Sequence, residues 1–178
     1  MKKITFLIIL IASITTAQTD LRIYDIINDV KTERIEKDIT TLANFGTRHS
    51  LSDTISDTRG IGSARRWIKS EFDEISKNCG NCLNVFYQKD LVKKNKRRII
   101  HDVLIVNVVA IQKGTKYPNR YIIMSGDIDS RVSDPNDFTS DSPGANDNAS
   151  GMAGTLEAAR ILSKYTFENS IIYVGLSG

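Results

Sequence analysis

Apolar positions along the chain fall into runs with helical or strand spacing. From Leu21 to Asn44 the residues Ile23, Ile26, Ile27 and Val30 recur at helical intervals, and Ile35, Ile39 and Leu42 continue them. The pattern predicts one helix over 21–44, closed by Phe45-Gly46, where glycine is free to take a positive φ. Residues 46–60 are polar and read as a long loop. A second helix follows, with Ile61, Ala64, Ile68, Phe72 and Ile75 on one stripe and Trp67 widening it. Leu83–Leu91 and Ile99–Ile111 read as strands. Val103–Ile111 is apolar on both faces, which predicts a central strand. Tyr121–Ser125 reads as another buried strand, Ser150–Lys164 as a helix and Ser170–Leu176 as a last apolar strand. Helices alternating with buried strands argue an α/β fold, or a mixed sheet flanked by helices.

The first residues carry a different pattern. Lys2-Lys3 precedes an apolar stretch from Ile4 to Ile14, and Thr15-Thr16-Ala17 supplies small residues at cleavage positions. This reads as a secretory signal peptide over 1–17, too short to span a bilayer, with 18–178 as the exported part. No stable membrane anchor is expected. The formal charge of +3 falls to +1 without Lys2 and Lys3, leaving 22 basic against 21 acidic side chains, so charge makes no case for nucleic acid. The basic run 93–98 lies between two strands and reads as a solvated turn. Cys79-Gly80-Asn81-Cys82 joins a helix to a strand, the reverse of a redox motif, and no further soft ligands stand near it. In an exported chain a local disulfide is the expectation.

The candidate chemistry lies between residues 125 and 151. The strand ending in Met124 runs into Ser125-Gly126-Asp127-Ile128-Asp129-Ser130, so carboxylates stand where a strand ends, the place where open α/β sheets bind ligands. Pro143-Gly144-Ala145-Asn146-Asp147-Asn148-Ala149-Ser150-Gly151 then carries Asp147 into a helix. Acidic and amide side chains there also suit ordinary helix capping. Carboxylates from a strand end and a helix start can nevertheless converge on one divalent cation, which makes Asp127 and Asp147 candidate ligands. Asp129, two residues past Asp127, is placed to orient a ligand from behind. Gly144, Gly151 and Gly154 would let the loop turn and the helix approach the sheet. His49 and His101 read as structural.

These segments resemble the co-catalytic zinc exopeptidases of metallopeptidase family 28, of the aminopeptidase Y kind. Gly126, Asp129 and Ser130 match the family's strand-end motif, and residues 143–151 match its loop closely. Leu156-Glu157-Ala158-Ala159-Arg160 resembles the following helix, and Ile171–Gly178 the strand that leads to a glutamate pair. Upstream, Phe45-Gly46-Thr47-Arg48-His49 and Gly60-Ile61-Gly62-Ser63-Ala64 resemble the family's first loop and core helix. The resemblance implies a three-layer α/β fold, a mixed, mostly parallel sheet flanked by helices. It also implies two Zn2+ ions bridged by Asp147, a peptide substrate and a cis bond between Asp147 and Asn148.

Two departures shape the expectation. Asp127 stands where the family has a zinc-binding histidine, and an oxygen donor there should tolerate other divalent metals better. The sequence stops at Gly178, before the glutamates that the resemblance assigns as general base and metal ligand. The expectation is therefore the N-terminal part of an exported metal-dependent aminopeptidase, inactive on its own. The alternatives are a single-zinc glutaminyl cyclase-like enzyme, which shares the fold, and a pseudopeptidase that only binds or scaffolds.

Overall fold

The computed structural model describes residues 20–95 and 97–178. The expected signal peptide and Lys96 of the basic run lie outside the described residues. The chain forms α1 (Leu21–Asn28), α2 (Thr32–Ala43), α3 (Gly60–Asn78), β1 (Leu83–Val92), β2 (Val103–Gln112), β3 (Tyr117–Asp127), α4 (Ser150–Leu162) and β4 (Asn169–Leu176). The expected single helix over 21–44 is two. Asp20 caps α1, its carboxylate accepting the Arg22 N–H at 3.0 Å, and Asp29 closes it. Asp and Asn favour local side-chain bonds over helix continuation, which explains the break at 28–31. None of the α1 residues is buried, so only α2 uses its stripe for the core.

The four strands form one mixed sheet in the order β1-β2-β4-β3. β2 is interior, as its two-sided apolar pattern predicts. It pairs antiparallel with both β1 and β4, while β3 and β4 are parallel. One ladder of three among the described residues is thus parallel. β3 is an edge strand here, and Tyr121, Ile122 and Ile123 are exposed, Ile123 at 64%. An apolar run records what a strand is suited to cover, and the described residues leave this one uncovered. α4 is the crossover that parallel pairing requires, and it brings the carboxyl ends of β3 and β4 to one edge.

The core lies between the helices and one face of the sheet. Ile61, Ala64, Ile68 and Phe72 of α3 and Met152 and Leu156 of α4 are fully buried against Val108, Ala110 and Tyr173. Each large apolar side chain contributes about 1.5–3 kcal/mol by leaving water. Beneath them an ion-pair network joins three helices. Arg34 bonds Glu157 at 2.5 Å, and Arg160 bonds Asp38 at 2.5 Å and Glu71 at 2.6 Å. Burial pushes the Glu157 carboxyl up, but the Arg34 guanidinium, the Lys31 N–H and Arg160 pull it further down, so the net shift is downward from 4.5. A depressed carboxyl stabilises the fold above its unfolded pKa and loses that contribution as pH falls through the folded value. We expect Glu157→Gln to cost about 1–3 kcal/mol at pH 7, the gap narrowing as pH falls below 4.5 and through the depressed folded value, measured as urea midpoints at pH 7 and along a descending acid series. An undiminished gap in acid would contradict this.

Cys79 and Cys82 are joined in a disulfide, as expected from their isolation. It closes the turn between α3 and β1, where Asn81 takes a positive φ.

Candidate functional site

The parallel pair β3–β4 ends at Asp127 and Leu176, and the Ile128 N–H still donates to Leu176 O at 2.6 Å. Beyond that edge the chain turns outward, leaving Asp127 exposed and Asp129 half-buried. The loop before α4 returns to the same place. The Asp127 N–H donates to Asn148 Oδ1 at 3.3 Å, which ties the strand end to the residue after Asp147. The Asp147–Asn148 peptide is cis, as the resemblance implies. Asp147 and Asn148 have non-helical backbone within the wide turn Ala145–Ala149, which kinks the chain before α4. Asp147 is exposed.

Two glycines permit this approach. A Cβ on Gly126 would sit 2.4 Å from the Met152 nitrogen, so only glycine lets β3 meet the start of α4. Gly144 has a φ of +48°, and a Cβ there would strike Asp147 O and Ser130. The expected close packing at Gly154 is not found, because that position faces open space.

Arg48 holds the strand end and the loop together. It is fully buried. Its Nε donates to Ile128 O at 2.7 Å, and its Nη1 donates to Leu42 O at 2.8 Å and Pro143 O at 2.7 Å. Its Nη2 donates to Gly144 O at 3.1 Å. Burial pulls the guanidinium down to about 10, with the Asp129 charge opposing, so it stays protonated at neutral pH. Ser130 adds a second lock, since its hydroxyl donates to Ser142 O at 2.6 Å and accepts the Arg48 N–H at 3.1 Å. Arg48 appears in the sequence only as part of a matched segment, and its role was missed. The available signal was a lone charge among small and apolar residues from Phe45 to Ser52.

Electrostatics single out Asp129. Burial raises its carboxyl above 3.8 and the Asp127 charge raises it further, against its own backbone N–H, His49 and Arg48. His49 is structural, as expected. Its Nδ1 accepts the Leu51 N–H at 3.0 Å and its Nε2 lies 3.1 Å from Pro135 O, so both ring nitrogens are used. His101 lies ahead of β2 rather than within it, and its ring meets Phe138 edge-on.

As a donor set, Asp127 and Asp147 are two carboxylates at one edge with no hydrogen bond to either carboxylate among the described residues. Two hard oxygen donors suit a divalent cation, but catalytic zinc takes three protein ligands. Among the described residues no group of three or more His, Cys, Asp or Glu side chains could hold a metal ion. The pair fits as part of a metal centre and does not complete one.

Residues 107–178 match the sequence model of Peptidase family M28. A "Probable zinc metalloprotease" of Pyrenophora teres f. teres is 43% identical over 152 residues, 85% of this chain and 31% of that protein. The chain belongs to peptidase family M28. This M28 chain spans about a third of the length of the curated relatives it matches. Two solved structures share its fold at low identity. The LapA aminopeptidase of Legionella pneumophila aligns with a TM-score of 0.66 at 19% identity, over 90% of this chain and 38% of that one. The glutaminyl cyclase of Fimbriiglobus ruber aligns at 0.61 and 20% identity, over 84% and 46%. The M28 match covers both carboxylate segments, so Asp127, Asp129 and Asp147 all lie within it.

Proposed function

We propose that this chain carries part of the catalytic centre of an exported zinc exopeptidase, an aminopeptidase that removes N-terminal residues from peptides. The observation that carries the reading is the bond from the Asp127 N–H to Asn148, which ties the loop of Asp147 to the carboxyl end of β3 within an M28 chain. Asp127 and Asp147 hold zinc, two ions in this reading, and the full-length protein supplies the remaining ligands and the general base. Bound zinc supplies a Lewis acid that lowers the pKa of a coordinated water. Asp129 stands behind Asp127, half-buried, and orients what the site holds. The Cys79–Cys82 disulfide and the Lys2-Lys3 apolar start support export.

The glutaminyl cyclase reading has one observation in its favour, the fold shared with such enzymes together with Asp127 in place of histidine. One experiment separates the readings. The purified full-length protein is assayed on aminoacyl-nitroanilides and on N-terminal glutaminyl peptides, before and after stripping with a chelator and reloading with zinc. We expect nitroanilide hydrolysis that disappears on stripping and returns with zinc. Cyclisation of glutaminyl peptides without hydrolysis would transfer the assignment to a cyclase, and neither activity would leave a binding domain.

A further inference from the structure

A second cavity, of about 300 Å3, opens between α3 and the β1–β2 strands, lined by Arg65, Arg66, Tyr87, Lys89, Leu104 and Val106 among others. None of its lining residues is acidic. Arg65 is 5% exposed, and among the described residues its guanidinium makes one hydrogen bond, from Nε to Ser177 Oγ at 3.1 Å. Among the described residues its Nη2 is buried without a partner, and no carboxylate lies within salt-bridge distance. Burial pulls this guanidinium down to about 10, with the Asp129 charge opposing from further off, so it remains a cation at neutral pH. A buried cation without a counter-charge is costly, and such groups are ordinarily paired.

The lining of the cavity itself adds positive charge. Lys89 Nζ stands 5.8 Å and Lys69 Nζ 5.9 Å from the centre of the Tyr87 ring. The acids nearby are engaged on the rim, Asp73 with Lys69 at 2.7 Å and Asp57 with Arg66 at 3.5 Å. Another cavity with basic lining, about 420 Å3 beside α4, makes the contrast. There Arg34, Arg160 and Lys164 are each paired with a carboxylate, from Glu157, Asp38 and Asp29 respectively.

We propose that the cavity around Arg65 is a binding site for a small oxyanion, a carboxylate or a phosphate, held by Arg65 with Lys89. Arg65 provides the planar fork that suits either anion, and Lys89 a mobile point charge at the rim. The ligand supplies a direct counter-charge to the buried guanidinium. The cavity shares no lining residue with the Asp127–Asp147 edge, although Arg65 feels the Asp129 charge, and the proposal stands whether or not the peptidase reading does.

The test uses the full-length protein at constant ionic strength, in chloride as the reference. Binding of inorganic phosphate is followed by phosphorus NMR line broadening, and binding of acetate by the shift of the thermal midpoint. Saturable binding is expected for at least one anion, and which one responds tells phosphate from carboxylate. Arg65→Met should weaken it about tenfold or more and Lys89→Gln about threefold, as losing a charge-assisted bond implies. If Arg65→Met does not fold, the Lys89→Gln result stands alone. The proposal is overturned if the wild type binds neither anion saturably. It is equally overturned if the variants that fold keep wild-type affinity.

Discussion

On the proposed aminopeptidase reading, replacing Asp147 with asparagine in the full-length protein is expected to lower kcat/KM on aminoacyl-nitroanilides by about a thousandfold or more, the several kcal/mol a metal centre supplies. The substitution keeps the side chain's shape and removes its charge. Asp147 is exposed, and no described residue hydrogen-bonds its carboxylate, so the fold has nothing to lose. Stability should stay within about 0.5 kcal/mol of wild type. Activity, bound zinc and the denaturant midpoint are measured together. Loss of zinc and turnover with an unchanged midpoint is the expected result. An active variant with its metal in place would remove Asp147 from the site. A lowered midpoint would mean that the loop is a structural element first.

The second large effect is expected at Arg48. Arg48→Met removes donors from Ile128 O, Leu42 O, Pro143 O and Gly144 O at once. Two of these carbonyls have other partners: Leu42 O accepts the Phe45 N–H and Gly144 O accepts the Ala149 N–H. Ile128 O and Pro143 O lose more, each at about 1–3 kcal/mol for an acceptor left unsatisfied away from water. The variant also relieves the cost of a buried charge, so the net loss should be about 2–4 kcal/mol rather than the gross sum. Urea denaturation measures it. Because Arg48 joins the strand end to the loop of Asp147, zinc affinity should fall about 10–100-fold as well, as for other groups that orient ligands. Arg48→Lys keeps the charge without the planar fork and should fall between. Unchanged zinc affinity in a destabilised but folded Arg48→Met would make Arg48 a core residue only.

The legible parts of the molecule were those where local chemistry and tertiary need agree. The stripe from Ile61 to Ile75 is the face α3 buries, and the two-sided run of β2 is an interior strand, because apolar spacing records burial directly. The loop 143–151 stood out because its glycines suit a tight backbone turn and its one carboxylate, Asp147, stands at the start of a helix. Elsewhere periodicity misled. The stripe from Ile23 to Val30 does not reach the core, since the chain breaks at Asp29 and α1 lies on the surface. The apolar stretch at Tyr121–Ile123 predicted a buried strand, yet it forms the exposed edge of β3.

By itself the sequence determined the α/β class, the order of the elements after residue 60 and the disulfide partners, it named Asp127, Asp129 and Asp147 as candidates, and it placed the chain in its family. Each of these depends on residue type at short range. Only the tertiary structure decided that β2 and β4 pair antiparallel, that Arg48 spans from α2 to the loop before α4, and that the Arg65 Nη2 is buried without a partner among the described residues. Residues 48 and 143 are far apart in the chain, and neither shows on its own which carbonyls an arginine will reach. A charge is read from the sequence; its burial and its partners exist only once distant segments have packed together.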